Sequence, residues 1–187
     1  MTACLILAAG EGKRLRPLTS NKPKALVNFI DKPLIMHQIR TLESLNITNI
    51  GIVTGYKAEK FQNLGFQTFM NNNYGKTNMV YSLFCGRMFF ENNEDDLIIS
   101  YGDIVYEKKN LQTLLSTDGD IVLMTDDNWF RLWSLRNDDP LSDAETMKFD
   151  NSGNIVELGK KPKNINEIES QYTCLLYTSD AADDVRG

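Results

Sequence analysis

Leu7-Ala8-Ala9-Gly10-Glu11-Gly12-Lys13-Arg14-Leu15-Arg16-Pro17-Leu18-Thr19, followed after Ser20 by Asn21-Lys22-Pro23-Lys24-Ala25-Leu26, decides how this chain is read. The apolar run Ala3 to Leu7 has the length of a buried strand. It leads into a loop of small residues whose two glycines, Gly10 and Gly12, let the backbone approach a ligand closely. Cations then crowd the loop: Lys13, Arg14, Arg16, Lys22 and Lys24 fall within twelve residues of a chain whose net charge is −5. Positive charge that local in an acidic chain suits phosphates and predicts a nucleoside triphosphate site.

Two similar motifs are excluded. A P-loop needs Gly-x-x-x-x-Gly-Lys-Ser/Thr, which occurs nowhere, and a dinucleotide fingerprint needs a third glycine where Leu15 stands. Gly-x-Gly-x-Arg-Leu-x-Pro-Leu-Thr with Lys-Pro-Lys a few residues on closely resembles the signature of the sugar-nucleotidyltransferase superfamily. The alternative is a basic turn that merely follows a strand.

At 187 residues and 42% hydrophobic content the chain can bury one good core. It has no apolar run long enough to span a membrane. Met1-Thr2-Ala3-Cys4 enters a strand directly, without the charged segment and cleavage site of a signal peptide, so a cytoplasmic location is expected. Three cysteines without paired spacing argue for reduced thiols rather than a disulfide framework or a zinc site. The acidic balance argues against nucleic-acid binding, which needs a cationic face. Small-molecule substrates are expected, and the oligomeric state is left open.

The tail reads differently from the rest. Cys174 to Asp183 resembles, residue for residue, the translation of one frame of a transposase sequencing adapter. The expectation is therefore a nucleotidyltransferase domain over 1–173, incomplete at its C-terminus, and a non-native tail over 174–187. Cys4 and Cys85 would then be the native thiols.

Alternating strand and helix patterns predict an α/β fold with a doubly wound, mostly parallel, Rossmann-like sheet. Strands are expected at Ala3–Leu7, Ile50–Thr54, Phe66–Met70, Leu97–Ser100 and Ile121–Thr125. Helices are expected at Pro33–Leu45, Ala58–Asn63, Asn78–Phe90 and Asn110–Leu115. Beyond Asp126 the rhythm changes. Glu145–Phe149 and Asn154–Leu158, joined by Asp150-Asn151-Ser152-Gly153, predict an antiparallel hairpin, a lip that would cover the acceptor. Ligands of such sheets bind beyond the carboxyl ends of the strands. The loop after Leu7 and the Gly102-Asp103 pair are expected to converge there.

Nucleotidyl transfer brings two anions together, so cations are needed on both. Arg14 can engage two triphosphate oxygens with its fork, and Lys24 can act as a point charge between the α phosphate and the acceptor. The family carries those catalytic roles at these two positions. The resemblance likewise implies that Asp103 is the Mg2+ aspartate, a carboxylate at a strand end suited to that ion. The second metal carboxylate that the family usually supplies would lie beyond Thr173. Lys13, Arg16 and Lys22 are supporting charges at best.

Nucleotide binding is expected from backbone groups of Ala8, Ala9, Gly10 and Gly12. Asn78 and Ser82, four apart at a helix start, share a face that can offer hydrogen bonds. Tyr74 to Leu83 resembles the Asn-x-x-x-Ser-Leu segment of phosphocholine and aminoethylphosphonate cytidylyltransferases, although an ordinary helix cap at Asn78 fits as well. Acceptor binding is expected from Asp127, Trp129 and Trp133, because aromatic faces and carboxylates attract an ammonium group. Core packing of the two tryptophans at helical spacing competes with that reading. His37 is expected to be structural.

The resemblance implies Mg2+-dependent transfer of CMP from CTP to a small zwitterionic phosphonate or phosphate. The acceptor would be 2-aminoethylphosphonate first, phosphocholine second, and a hexose 1-phosphate third. A non-catalytic nucleotide-binding module is the alternative from another class.

Overall fold

The computed structural model describes residues 1–91 and 96–179. The remainder of the expected tail, 180–187, lies outside the described residues.

In chain order the strands are β1 (Thr2–Leu7), β2 (Asn28–Phe29), β3 (Lys32–Pro33), β4 (Ile50–Thr54), β5 (Gln67–Met70), β6 (Asp96–Tyr101), β7 (Ile121–Asp126), β8 (Met147–Phe149), β9 (Ile155–Leu158) and β10 (Gln171–Thr178). The helices are α1 (Leu34–Glu43), α2 (Met79–Cys85), α3 (Lys108–Ser116) and α4 (Trp129–Arg136). Six strands form one sheet in the order β5-β4-β1-β6-β10-β7. Its β5, β4, β1 and β6 are mutually parallel, whereas β10 runs antiparallel to β6. The mixed α/β architecture expected from the alternating pattern is therefore present.

Two compact units divide the chain, 1–122 with 174–187 and 123–173. In the first, every residue of β1 from Ala3 to Leu7 is buried. Because strand side chains alternate between faces, burial at both parities means the sheet is covered on both sides. One face gathers Ala3, Leu5, Leu7, Val53, Phe89 and Leu97 around α2. Completing this unit, Leu175 ↔ Ser100 and Leu176 ↔ Ile99 are register partners between β10 and β6, and Leu175 is fully buried. Residues 174–178, which the sequence assigns to a non-native tail, thus continue the sheet.

Several boundaries differ from the sequence pattern for local reasons. Pro33 stands as the N-cap of α1 with φ −54° and ψ 143°, so the helix begins one residue later than expected. The segment 58–64 is a 3-10 helix instead of an α-helix, bounded by left-handed Lys57 (φ 51°) and Gly65 (φ 77°). The long helix expected from Asn78 to Phe90 stops at Cys85, and 3-10 structure resumes at Arg87–Phe89.

The second unit holds α4 and the β8–β9 hairpin, which is antiparallel as its Asp150–Gly153 turn predicts. Trp129, Ala144 and Ile168 form its core, with Trp133 and Leu141 packed against them. The Gln171 side chain closes it like a strand: Nε2 donates to the Glu145 carbonyl at 2.6 Å, and Oε1 accepts from the Glu145 amide at 3.2 Å.

Candidate active site

A cavity of about 450 Å3 opens at the carboxyl ends of β1 and β6, within the first unit. Its wall includes Ala8, Gly10, Gly12, Arg14, Lys24 and Asp103, six of the residues singled out from the sequence. That volume falls in the range of small-molecule sites, roughly 300–1,000 Å3.

The loop after β1 is held by its own backbone and one threonine. Thr19, fully buried, donates from Oγ1 to the Gly12 carbonyl at 2.9 Å. Gly12 adopts φ 69°, which L side chains rarely take, and an added Cβ would lie 2.8 Å from Lys24 Cβ. Glycine at this position lets the Lys24 segment pack directly on the loop. At Gly10 the reverse holds: a Cβ would meet nothing within 4 Å. That side of Gly10 is open, on the cavity wall.

Gly102 brings the two sequence segments together. Its amide donates to the Leu7 carbonyl at 2.9 Å. A Cβ here would stand 2.7 Å from Ala8 Cβ and 3.2 Å from Ala25 Cβ. The absence of a side chain therefore sets the distance between the β1 loop and the turn that carries Asp103. Across this contact Lys24 Nζ forms an ion pair with the Asp103 carboxylate, both side chains about one-third exposed.

The loop cations divide into two groups. Glu11 holds Arg16 in an ion pair and lies 3.6 Å from Lys13 Nζ. Among the described residues no carboxylate pairs with Arg14, which is exposed and on the cavity wall. The guanidinium fork is thus available for phosphate oxygens, to which it can bind bidentately. Lys22 does not line the cavity.

Other expected contributors are placed elsewhere or are already engaged. The Ala8 amide donates to the Val53 carbonyl at 2.8 Å and the Ala9 carbonyl accepts from Tyr56 at 3.0 Å, so these two groups serve the fold. Asn78 caps α2, its Oδ1 accepting from the Tyr81 amide at 3.1 Å. Ser82 is buried and accepts from Asn71 Nδ2 at 3.0 Å. Neither Asn78 nor Ser82 is on the cavity wall; Tyr74, Gly75 and Met79 from the same segment are. Fully buried Asn71, which the sequence reading missed, organises that segment, since it also binds Thr77 Oγ1 and the Asn73 amide. Tyr101, another wall residue, was likewise unannounced.

In the second unit Asp127 is exposed, whereas Trp129 is 3% exposed and belongs to the core. Its face is packed at 6.2 Å, edge to face, against Trp133. The Trp133 ring carries the Arg136 guanidinium 5.3 Å from its centroid, and its Nε1 donates to the Asp143 carbonyl at 3.2 Å. Trp129 is thus taken up by packing, while the half-buried Trp133 ring lies between that core and Arg136.

Two titratable groups packed against the sheet are locked in their protonated forms. Burial pushes the Cys4 thiol and the Tyr106 phenol far above their ordinary ranges, so both stay neutral. His37 Nε2 donates to the Phe29 carbonyl at 2.9 Å and is not on the cavity wall. Cys4 and Cys85 are free thiols, and no described helix is long and apolar enough to cross a membrane.

Among known proteins, the chain is 42% identical over 176 residues to the CTP:phosphoglutamine cytidylyltransferase of Campylobacter jejuni, covering 90% of this chain and 69% of that protein. It is 46% identical over 84 residues to the choline-phosphate cytidylyltransferase of Streptococcus pneumoniae, covering 43% of this chain and 37% of that protein. The fold is similar to that of the T. maritima inositol-1-phosphate CTP transferase, with a TM-score of 0.73 at 20% identity over 98% of this chain and 73% of that one. The S. pneumoniae CTP:phosphocholine cytidylyltransferase structure gives 0.67 at 22% identity over 98% and 74%. Residues 4–178 match the MobA-like NTP transferase domain, and with that span covering the whole cavity wall the chain belongs to this family of nucleotidyltransferases.

Proposed function

We propose that this chain transfers a cytidylyl group from CTP to an oxygen of a small phosphorylated acceptor, with release of pyrophosphate. The observation that carries the reading is the meeting of the Gly10–Lys24 loop and Asp103 on one cavity wall. The Campylobacter and pneumococcal relatives support cytidine as the base. In the reaction an acceptor oxygen bonds to the α phosphorus, the bond from that phosphorus to the bridging oxygen breaks, and pyrophosphate leaves. No base is required, because the acceptor phosphate is already ionised at neutral pH.

Each residue has a physical task. Arg14 binds triphosphate oxygens with two donors at once. Lys24 transfers its charge from Asp103 to the reacting phosphates, lowering repulsion between the two anions. The Asp103 carboxylate, a hard oxygen donor one-third exposed, fits Mg2+, which takes one or two carboxylates together with phosphate oxygens. When bound, the ion supplies charge neutralisation of the triphosphate. Among the described residues no cluster of three or more His, Cys, Asp or Glu stands ready to hold a metal alone. Substrate oxygens would complete the shell.

Acceptor choice is the finer proposal. Arg136 already covers the Trp133 face, so an ammonium-bearing acceptor would have to displace it. This weakens the aromatic argument for 2-aminoethylphosphonate and phosphocholine alike, and what supports a phosphorylated glutamine and phosphocholine ahead of 2-aminoethylphosphonate is the likeness to the two relatives. The test is pyrophosphate release with CTP, UTP, ATP and GTP against these three acceptors and a hexose 1-phosphate. CTP with one phosphorylated acceptor is expected to dominate. Equal rates with all four nucleotides would defeat the cytidine assignment, and no release from any pair would leave a binding module.

A further inference from the structure

We propose that Gln38 is the positioning residue for Asp103: its buried amide grips the two carbonyls that bracket this carboxylate and so fixes where it enters the cavity. What Asp103 does rests on the nucleotidyl-transfer reading; how it is held does not.

Gln38 lies in the middle of α1 and is fully buried. A buried carboxamide must find partners for two N–H donors and a carbonyl, and here each finds one. Nε2 donates to the Tyr101 carbonyl at 2.8 Å and to the Ile104 carbonyl at 2.8 Å. Oε1 accepts from Ser100 Oγ at 2.7 Å. The orientation of the amide follows from its partners, since the two carbonyls can only accept and the hydroxyl can donate. Between the gripped carbonyls lie only Gly102 and Asp103.

The turn is thereby fixed at three points. Its two flanking carbonyls are tied to α1, and the Gly102 amide is tied to Leu7 at the end of β1. Asp103 has little freedom left except in its own side chain, which reaches Lys24. Without the amide, the Tyr101 and Ile104 carbonyls both lose the 2.8 Å bond that ties them to α1. The turn would then reorganise, taking the carboxylate with it.

A residue that merely fastened α1 to β6 would affect stability alone. A positioning residue also alters what the carboxylate does. Gln38→Met retains the length and bulk of the side chain but offers no donor. Ile39→Val, at the adjacent fully buried residue of the same helix, serves as the control that loosens packing without touching the turn. Three readouts separate the roles: amide hydrogen exchange at Gly102, Asp103 and Ile104; Mn2+ affinity in the presence of CTP, by electron paramagnetic resonance; and kcat and KM for CTP.

For Gln38→Met we expect Mn2+ affinity and kcat to fall by about 10- to 100-fold, the usual effect of losing a group that orients a ligand. KM for CTP should stay near the wild-type value, and exchange should quicken at 102–104 while β4 is unaffected. Ile39→Val should lower the melting temperature and leave all three readouts alone. Wild-type exchange at 102–104 and wild-type Mn2+ affinity in Gln38→Met would overturn the proposal, whatever the change in melting. If Gln38→Met does not fold, Ser100→Ala releases Oε1 and should give the same pattern more weakly; unchanged exchange in that variant also overturns it. Should the wild-type protein turn over no nucleotide at all, the transfer reading fails, and hydrogen exchange still decides the role of Gln38.

Discussion

Replacing Gly102 by alanine tests the geometry on which the site depends. The new methyl group would sit 2.7 Å from Ala8 Cβ, 3.1 Å from Ala8 Cα and 3.2 Å from Ala25 Cβ. Relaxed carbon contacts lie at about 3.5–4.0 Å, so the turn must retreat by roughly 1 Å. None of these neighbours can swing away, because two are Cβ atoms of alanines in buried backbone and the third is a Cα. Overpacking of this kind costs about 1–3 kcal/mol. For a chain of this length each kcal/mol lowers the melting temperature by about 2–4 °C. Asp103 moves with the turn, and a misplacement near 1 Å can reduce turnover about 100-fold. Calorimetry and pyrophosphate release measure the two effects separately. Gly10→Ala is the matched control: its methyl group meets nothing, so stability should change by less than about 0.5 kcal/mol. A Gly102→Ala protein that melts earlier yet turns over normally would refute the link between the turn's position and the chemistry.

Three further outcomes are expected. Lys24→Ala and Asp103→Ala should each reduce turnover by orders of magnitude with melting nearly unchanged, since the pair is one-third exposed; near-normal turnover in either removes that residue from the mechanism. Trp129→Ala should destabilise the second unit by about 3–5 kcal/mol, the cost of emptying a core aromatic site, as followed by urea unfolding. The Asp150 carboxyl lies below its ordinary range because the Asn154 side chain and then the Asn154 and Ser152 amides hydrogen-bond to it. A lowered native value means the turn gains its support above the unfolded pKa and loses it as pH falls through the native one. Amide shifts of Gly153 and Asn154 should therefore titrate below pH of about 4, and Asp150→Asn should abolish that response.

Legibility from sequence followed the range of the interactions. β1, β4 and β6 are mainly apolar runs with a glycine one to three residues beyond the end, and their pattern is local, so they are legible nearly to the residue. That Lys24 and Asp103 meet was also legible, because each sits in a short motif beside a strand end, although 79 residues separate them. Gln38 was missed: nothing about one polar residue in an amphipathic helix tells that its partners are 62 to 66 residues away. Asn78 and Ser82 were read as ligand contacts because side-chain spacing cannot distinguish a group that faces a cavity from one that caps a helix or satisfies Asn71. The tryptophans at 129 and 133 shared that ambiguity, and α4, the helix that carries them, was not among the expected elements. β10 is not among the expected strands, because most of its residues, 174–178, fall in the expected tail.

The position of β10 has a consequence for how the chain becomes structured. During synthesis β6 is complete once residue 101 has emerged, yet β10, the described strand that pairs with it antiparallel, begins only at residue 171. For some seventy residues of elongation the nascent sheet presents an unsatisfied rim along β6, the kind of edge that recruits strands from other chains. The yield of folded protein should then respond to translation speed over 127–171, with slower passage there leaving the rim open longer.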